Sequence, residues 1–232
     1  MSAKTILHLG EPEKKLKWIY KIPTIFFGLF YNSLAIFYDH ITNAISMNLW
    51  KEWLATTRPY LEGDLILEIG HGTGRLQKIL AKQGKQVFGL EPSWQMIGLT
   101  KRRLVSADFP FRLTRGYSQA IPFRDHSFDQ IVSTFPAEYI TDADTLHEIK
   151  RILQPGGNLI ILRFAWLSDQ HMPYKAIAWL FRLVGEAPQR QKVLPEETLA
   201  TPFEEAGFTV SIKQIDLENS AVVIICCQVD KG

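Results

Sequence analysis

Apolar runs alternate with amphipathic segments through the middle of the chain. Five short apolar runs predict buried strands, at residues 65–69, 86–91, 111–115, 128–133 and 158–164. The helix predicted after the first strand begins at Arg75, places Leu76, Ile79 and Leu80 on one face, and is ended by Gly84. Strands and helices that alternate in this way are typical of a parallel sheet covered by helices.

The carboxyl-terminal part has a different pattern. Residues 196–206 predict a helix that Gly207 ends, and residues 208–216 and 221–229 predict two strands. The turn between these strands is short, so we expect them to pair antiparallel. Residues 62–232 are therefore predicted to form one α/β domain, with an aromatic-rich insertion at residues 165–195.

The turn between the first strand and the first helix is a candidate binding site. Glu68 is followed by three alternating glycines, Gly70, Gly72 and Gly74. Glycines allow a tight turn and the close approach of a ligand, and the start of a helix offers free N–H groups. Glu91 ends the neighbouring strand, where a carboxylate can accept hydrogen bonds from both hydroxyls of a ribose.

Two residues of this turn indicate which nucleotide it binds. In a dinucleotide-binding Gly-x-Gly-x-x-Gly turn, the third glycine would fall at Arg75. Glu68 would repel a pyrophosphate but attract an amino group. Both features favour a ligand with a ribose and an amino acid part over NAD. A nicotinamide-dependent oxidoreductase stays open as an alternative.

Five segments, in order, resemble the motifs of the class I S-adenosylmethionine-dependent methyltransferases and cover about residues 62–164. They are residues 68–74, 91–96, 116–123, 127–133 and 148–157. The chain looks most similar to the branch that methylates quinones, phospholipids and other small molecules. The resemblance implies a Rossmann-like, doubly wound sheet of seven mostly parallel strands, the last of them antiparallel. It also implies methyl transfer from S-adenosylmethionine to a small acceptor. A non-catalytic protein that binds S-adenosylmethionine is the second alternative.

The resemblance assigns cofactor contacts to individual residues. Glu68 would meet the amino group of the cofactor, and Met96 and Ile121 would flank its adenine. The predicted cofactor-binding residues are Tyr38, Glu68, Gly70, His71, Gly72, Gly74, Glu91, Pro92, Met96, Tyr117, Ser118, Gln119, Ile121 and Thr134. Tyr117 stands where the family usually has Asp, so Ser118, a backbone carbonyl or stacking by Tyr117 is expected to replace that contact.

Acid–base chemistry is expected near the end of the fourth strand. The sulfonium methyl is already activated, so alignment of the acceptor can supply much of the rate. Thr134 lies where the methyl group and the acceptor should meet. Glu138 and Tyr139 are the best-placed candidates for proton transfer, at a position where relatives often have two His. His40, His71 and His171 are further candidates.

Residues 1–61 are predicted to form an N-terminal helical lid. Four lysines between residues 14 and 21 precede 17 uncharged residues, Ile22 to Tyr38. This run is short for a membrane span and Pro23 interrupts it, and no signal-peptide cleavage site follows. The segment either packs against the sheet or lies at a lipid surface and guides a lipophilic acceptor. Because it and the insertion are rich in aromatic residues, we expect a lipophilic or aromatic acceptor that enters between them.

Composition narrows the class of partner. Lys and Arg number 26 against 24 Asp and Glu, which gives no sign of a nucleic-acid partner. The two cysteines, Cys226 and Cys227, are adjacent in an apolar strand, so we expect buried thiols on opposite faces. They have no metal-ligand spacing, and reduced thiols favour a cytoplasmic location. Peripheral membrane contact through the N-terminal segment is an additional expectation.

Overall fold

The structure is a computed structural model that describes residues 49–167, 195–218 and 220–230. Most of the predicted lid (residues 1–48) and most of the predicted insertion (residues 168–194) lie outside these ranges. The predictions for Tyr38, His40 and His171 therefore also fall outside the described residues. Residues 49–61 of the predicted lid segment form a short helix and one 3-10 turn.

The described ranges contain five helices and seven strands in the order expected for an α/β domain. The helices are α1 (Trp50–Ala55), α2 (Arg75–Lys82), α3 (Trp94–Val105), α4 (Ala143–Ile152) and α5 (Glu196–Glu205). The strands are β1 (Leu65–Ile69), β2 (Gln86–Glu91), β3 (Leu113–Arg115), β4 (Phe128–Thr134), β5 (Leu153–Leu167), β6 (Thr209–Asp216) and β7 (Ser220–Gln228). Two 3-10 turns span Arg58–Tyr60 and Glu138–Thr141.

All seven strands belong to one sheet, in the order β3-β2-β1-β4-β5-β7-β6. The pairs from β3 to β5 are parallel, and β7 runs antiparallel to both β5 and β6. The predicted mostly parallel sheet with its last strand reversed is therefore confirmed. The chain reverses the direction of strand addition between β1 and β4, which opens a crevice at the carboxyl ends of these two strands.

Apolar side chains project from both faces of the sheet and form two buried clusters, one on each face. Ile66 of β1 joins the cluster under α1 and α2, which includes Leu54 and Leu80. Its neighbour Leu67 points the other way, into the cluster under α4 and α5 that includes Ile149. The alternation follows from the two-residue period of a strand. The result is a three-layer domain whose central strands are buried on both faces.

The cysteines follow the same alternation, as predicted. Cys227 is buried in the cluster under α4 and α5, and Cys226 is half-buried against the cluster on the opposite face. Both are free thiols. Burial raises the pKa of both thiols, so neither is a thiolate at neutral pH.

Four strands differ in length from the prediction, β4 and β6 by one residue each and β3 and β5 by more. β3 begins at Leu113 instead of residue 111, since Pro110 lacks an N–H for a ladder and Phe111 is exposed. β5 runs from Leu153 to Leu167, beyond both predicted ends, because β7 pairs with it as far as Leu167. The first three residues assigned to the insertion, 165–167, therefore belong to the sheet.

Two features are absent from the described ranges. None of their helices is long and apolar enough to cross a membrane. Within the same ranges, no group of three or more His, Cys, Asp or Glu side chains is arranged to hold a metal ion.

Candidate active site

A cavity of about 940 Å³ opens at the carboxyl ends of β1, β2, β3 and β4. Its lining comes from the turns that follow these strands and from α1. The lining residues are Trp50, Leu54, Glu68, Gly70, His71, Gly72, Thr73, Arg75, Leu76, Glu91, Pro92, Ser93, Trp94, Gln95, Arg115, Tyr117, Thr134, Phe135, Pro136, Ala137 and Tyr139. Nine predicted site residues are among them: Glu68, Gly70, His71, Gly72, Glu91, Pro92, Tyr117, Thr134 and Tyr139.

The glycine turn is shaped by left-handed backbone at Gly70, Gly72 and Gly74, with φ of 70°, 52° and 73°. A Cβ at Gly70 would lie 2.5 Å from the Tyr139 hydroxyl, so this glycine lets the turn pass under the tyrosine. A Cβ at Gly72 would meet no atom within 4 Å among the described residues. Gly72 therefore faces the open space of the cavity.

Glu68 is a buried carboxyl at the end of β1, and its side chain lines the cavity. Its Oε2 has no hydrogen-bond partner among the described residues. Burial raises the pKa of Glu68 to about 8, hydrogen bonding with Gln77 lowers it, and the charge of Glu91 raises it. A buried carboxyl with an unpartnered oxygen in the lining of a cavity is suited to a cationic ligand group, which would stabilise its ionised form.

Glu91 ties two turns of the site together. One carboxylate oxygen accepts the N–H of Gly72 at 3.1 Å, and the other accepts the N–H of Ser93 at 3.1 Å. The side chain is buried, and burial raises its pKa while these two N–H groups lower it. Each carboxylate oxygen keeps lone pairs that can accept further hydrogen bonds from a ligand.

His71 lines the cavity but is fixed inside the protein. Its Nδ1 lies 3.0 Å from the carbonyl oxygen of Gly72 and 3.1 Å from the hydroxyl of Thr100. A Cβ on Gly89 of β2 would lie 2.6 Å from the ring, so the imidazole packs directly on the sheet. Burial lowers the pKa of His71 to about 4, which keeps the ring neutral at physiological pH.

Tyr139 closes the cavity at the β1 and β4 side. Its hydroxyl lies 3.1 Å from the Ser133 hydroxyl, which donates to the carbonyl of Ile69 at 2.9 Å. Burial raises the pKa of Tyr139 to about 12, and its hydrogen bond with Ser133 lowers it. The phenol is therefore held in its neutral form.

The outer rim beside β2 and β3 carries aromatic and cationic groups. Trp94 and Tyr117 are exposed, at 63% and 64% of their surface. The Arg115 guanidinium lies 5.1 Å from the centre of the Trp94 ring, and its Nε donates to the carbonyl of Pro92 at 3.0 Å. Tyr117 thus occupies the rim where the family resemblance places an Asp.

Two predicted cofactor residues lie outside the cavity lining. A Cβ at Gly74 would collide with the side chain of Thr100, so this glycine allows α3 to approach the turn. Met96 is fully buried in α3. Both residues therefore pack within the protein.

Four further predicted residues also lie outside the cavity lining. Ser118 is buried and its hydroxyl lies 2.9 Å from that of Thr145. Ile121 belongs to the core cluster under α4 and α5. Gln119 and Glu138 are exposed at the surface. The loop after β3 turns inward at Ser118 and Ile121, which leaves Tyr117 as its member in the cavity.

The sequence reasoning missed an apolar wall on the opposite side of the cavity. The rings of Trp50 and Phe135 lie 4.6 Å apart, and the buried Trp53 completes the cluster at 6.0 Å from each. Phe135 has a φ of 49°, which is strained for a residue with a bulky side chain, and its N–H donates to Leu162 at 2.7 Å. No local sequence pattern distinguishes Trp50 or Phe135. The two residues are far apart in the chain, and they come into contact only when α1 packs against the end of β4.

The chain is similar in sequence to known methyltransferases. The profile of the methyltransferase domain family matches residues 67–161. The demethylmenaquinone methyltransferase of Lactiplantibacillus plantarum is 30% identical over 206 residues, which are 78% of this chain and 86% of that protein. The ubiquinone/menaquinone biosynthesis C-methyltransferase UbiE of Hahella chejuensis is 26% identical over 219 residues, which are 84% of this chain and 87% of that protein.

A solved structure has the same architecture. The S-adenosylmethionine-dependent methyltransferase of Methanosarcina mazei gives a TM-score of 0.54 at 19% identity, over 76% of this chain and 98% of that chain. At this identity the likeness concerns the fold, and it confirms the Rossmann-like class predicted from the sequence. The nicotinamide-dependent alternative has no support from these relatives.

Gly72 and Gly84 provide a matched pair of positions at which the proposed binding role of Gly72 can be tested. We expect Gly72→Val to abolish binding of S-adenosylhomocysteine, because the side chain would enter the cavity and strain the turn. Gly84 has a φ of 78°, and a Cβ there would also meet no described atom within 4 Å, but this glycine follows α2 away from the cavity. Gly84→Val therefore imposes the same backbone strain and should bind normally. Calorimetric titration checks both, and equal affinities of the two variants would contradict the assignment.

The raised pKa of Glu68 predicts a dependence of stability on pH. The unfolded carboxyl ionises near its ordinary value of 4.5 and the folded one at about 8. Its contribution is therefore fully present below pH 4.5 and is lost as the pH rises towards 8, at ~1.4 kcal/mol per pKa unit. Glu68→Gln should remove this loss.

Urea unfolding of the ligand-free protein between pH 5 and 8.5 measures the effect. We expect the wild type to become less stable relative to Glu68→Gln by a few kcal/mol, on the order of the shift converted in this way. Other titrating groups cancel in the difference between the two proteins. Parallel curves across this pH range would show that the carboxyl is not held in a desolvating environment.

Proposed function

Because the chain belongs to the S-adenosylmethionine-dependent methyltransferases, in the family of the demethylmenaquinone and ubiquinone/menaquinone methyltransferases, we propose that it methylates a ring carbon of a lipophilic quinol. The observation that carries this proposal is the aromatic wall of Trp50 and Phe135. This wall lines the same cavity as Glu68 and Glu91. One cavity thus holds polar groups suited to the cofactor and an apolar surface suited to an aromatic ring.

The residues present fit S-adenosylmethionine at the β1 and β2 end of the cavity. The unpartnered Oε2 of Glu68 would accept a hydrogen bond from the amino group of the cofactor. Glu91 has lone pairs left for the ribose hydroxyls, and Gly72 leaves room beside them. The bound cofactor supplies a methyl group on a positively charged sulfur. The protein therefore has to orient the acceptor and exclude water.

The residues around the strained Phe135 support a binding site for the acceptor at this end of the cavity. Thr134 ends β4 and Phe135 follows it directly, and Leu54, Pro136 and Ala137 add apolar lining. Strained residues concentrate at functional sites, where the surrounding structure maintains them. A flat aromatic acceptor can stack on the Trp50 and Phe135 rings, and such aromatic contacts contribute about 0.5–1.5 kcal/mol beyond burial.

Tyr139 is better suited to orientation than to proton removal. Its hydroxyl is bound to Ser133, and burial raises its pKa to about 12. A phenol with that pKa stays protonated at neutral pH and therefore cannot take a proton from the acceptor, but its oxygen lone pairs can accept a hydrogen bond from a ligand group. Glu138, the second predicted acid–base residue, lies at the surface. Alignment of the acceptor is therefore the main contribution of the protein.

The choice of acceptor is tested with methyl-labelled cofactor. Purified protein is incubated with S-adenosylmethionine and a 1,4-naphthohydroquinone that carries a short prenyl chain, with a prenylated benzohydroquinone in parallel. We expect a labelled methyl on a ring carbon, located by mass spectrometry and NMR. A label on oxygen would overturn carbon methylation. No transfer to either ring by protein that binds S-adenosylhomocysteine would overturn the quinol proposal and favour a non-catalytic binding protein.

Trp50→Ala tests the aromatic wall. It should raise the KM for the quinol about tenfold, which corresponds to ~1.4 kcal/mol of lost stacking and burial, and leave the affinity for S-adenosylhomocysteine unchanged. Phe111→Ala is the matched control, since Phe111 is an exposed aromatic residue outside the cavity lining. An unchanged KM in Trp50→Ala would place the acceptor elsewhere.

A further inference from the structure

Arg163 occupies an irregular position in β5. Leu162 pairs with Ile224 of β7 and Phe164 pairs with Val223, so Arg163 is an extra residue that the β7 register skips. Such a bulge bends its strand and re-aims the side chain of the extra residue, and bulges concentrate next to active sites. On the other side of β5, Leu162 is paired with Thr134, the last residue of β4. The bulge therefore lies beside the end of β4.

The side chain of Arg163 contacts the lip of the cavity but is not itself among the lining residues. Its Nη1 donates to the carbonyl of Pro136 at 2.6 Å, and Pro136 lines the cavity. The guanidinium also lies 5.0 Å from the centre of the Phe164 ring. A half-buried guanidinium held by one carbonyl and one ring keeps donors for another partner.

The charges around Arg163 are arranged along the cavity. The ionisable groups that face it are Tyr139 and Glu138, both in the connection after β4. Burial lowers the pKa of Arg163, and the groups on Tyr139 and Glu138 raise it. Within the ranges that the structure describes, the ion pairs present do not include Arg163. The charges of Glu91 and Glu68 raise the pKa of Tyr139, and the charge of Arg163 lowers it.

We propose that Arg163 supplies the positive charge that favours the ionised form of the acceptor's ring hydroxyl. This inference rests on the proposed function, because it requires an aromatic acceptor with a hydroxyl group. It assigns opposite charges to the two ends of the cavity, with carboxylates for the amino group and ribose and a guanidinium for the acceptor oxygen.

The chemical step concerned is a single ionisation. The ring hydroxyl gives its proton to water, and the electron pair stays on oxygen as a phenolate. A phenolate donates electron density to its ring carbons and makes them better nucleophiles. A cation within a few ångströms lowers the pKa of an acid by about 1–3 units, which moves an ordinary phenol close to physiological pH. This role needs no general base within the cavity.

A chromophoric phenol measures this effect directly. The probe is 4-nitro-1-naphthol, whose phenolate absorbs visible light, titrated with pH in the presence of saturating S-adenosylhomocysteine. We expect the wild type to lower the pKa of the bound naphthol by about one unit or more relative to the free probe. Arg163→Met should return it to the free value, and Arg163→Lys should retain most of the shift.

Two controls separate the charge from the fold. Arg112 also lies over a phenylalanine ring, at 5.5 Å, but that ring belongs to Phe88, which is outside the cavity lining, whereas Arg163 contacts the lining residue Pro136. Arg112→Met should therefore leave the shift unchanged. The affinity for S-adenosylhomocysteine should be the same in every variant. The acid limb of kcat/KM for the quinol should move to higher pH in Arg163→Met and stay near the wild-type position in Arg163→Lys.

Two results would overturn the inference. One is a naphthol pKa in Arg163→Met equal to that in the wild type, and the other is an equal effect of Arg112→Met. Both are distinct from failure of the proposed function. A different outcome is that quinols are not methylated while the naphthol pKa still depends on Arg163. That combination would overturn the proposed function but support the role of Arg163 in stabilising a phenolate, and the acceptor would then be another phenol.

Discussion

The carboxylate of Glu91 holds the site together. It accepts an N–H from Gly72 in the turn after β1 and another from Ser93 in the turn after β2. These two turns belong to different strands, and a buried acceptor shared between them fixes their separation. The left-handed backbone at Gly72 is what brings its N–H to that carboxylate. The cavity beside β1 and β2 therefore exists because a buried charge is shared by two backbone donors.

Glu68 shows that binding competes with stability in this fold. Its carboxyl is fully buried, its Oε2 has no partner among the described residues, and its pKa is raised to about 8. An uncompensated buried polar group costs about 1–3 kcal/mol. A cationic ligand group removes that cost, so the ligand-free protein carries an unfavourable group that the cofactor makes favourable. The strained backbone of Phe135 is a second local cost at the other end of the cavity.

The sequence predicted the parts of this structure that depend on short-range patterns. β1 and β2 begin and end at the predicted residues, and Glu68, Gly72 and Glu91 follow from strand ends and a turn. Met96 and Ile121, which the resemblance places beside the adenine, are buried and outside the cavity lining, and a family motif does not say which face of a segment meets the ligand. Such a face is set by packing with other elements.

Trp50, Phe135 and Arg163 were missed for a different reason. The position of Trp50 depends on where α1 packs, and that of Phe135 on a strained turn after β4. Arg163 reaches the cavity lip through a bulge that arises from pairing between β5 and β7, which are far apart along the chain. Non-local pairing and strand register leave weak signals in a single sequence. The cofactor end of the site was therefore more predictable than the acceptor end.

Calorimetric titration of Glu91→Ala with S-adenosylhomocysteine tests the central role of Glu91 most directly. The variant loses hydrogen bonds between a charged group and the ribose, each worth about 1.5–3 kcal/mol, and it frees the N–H groups of Gly72 and Ser93. We expect the affinity to fall at least tenfold, with the circular dichroism of the sheet unchanged. Unchanged affinity in Glu91→Ala, or tighter binding of NAD than of S-adenosylhomocysteine by the wild type, would contradict the account.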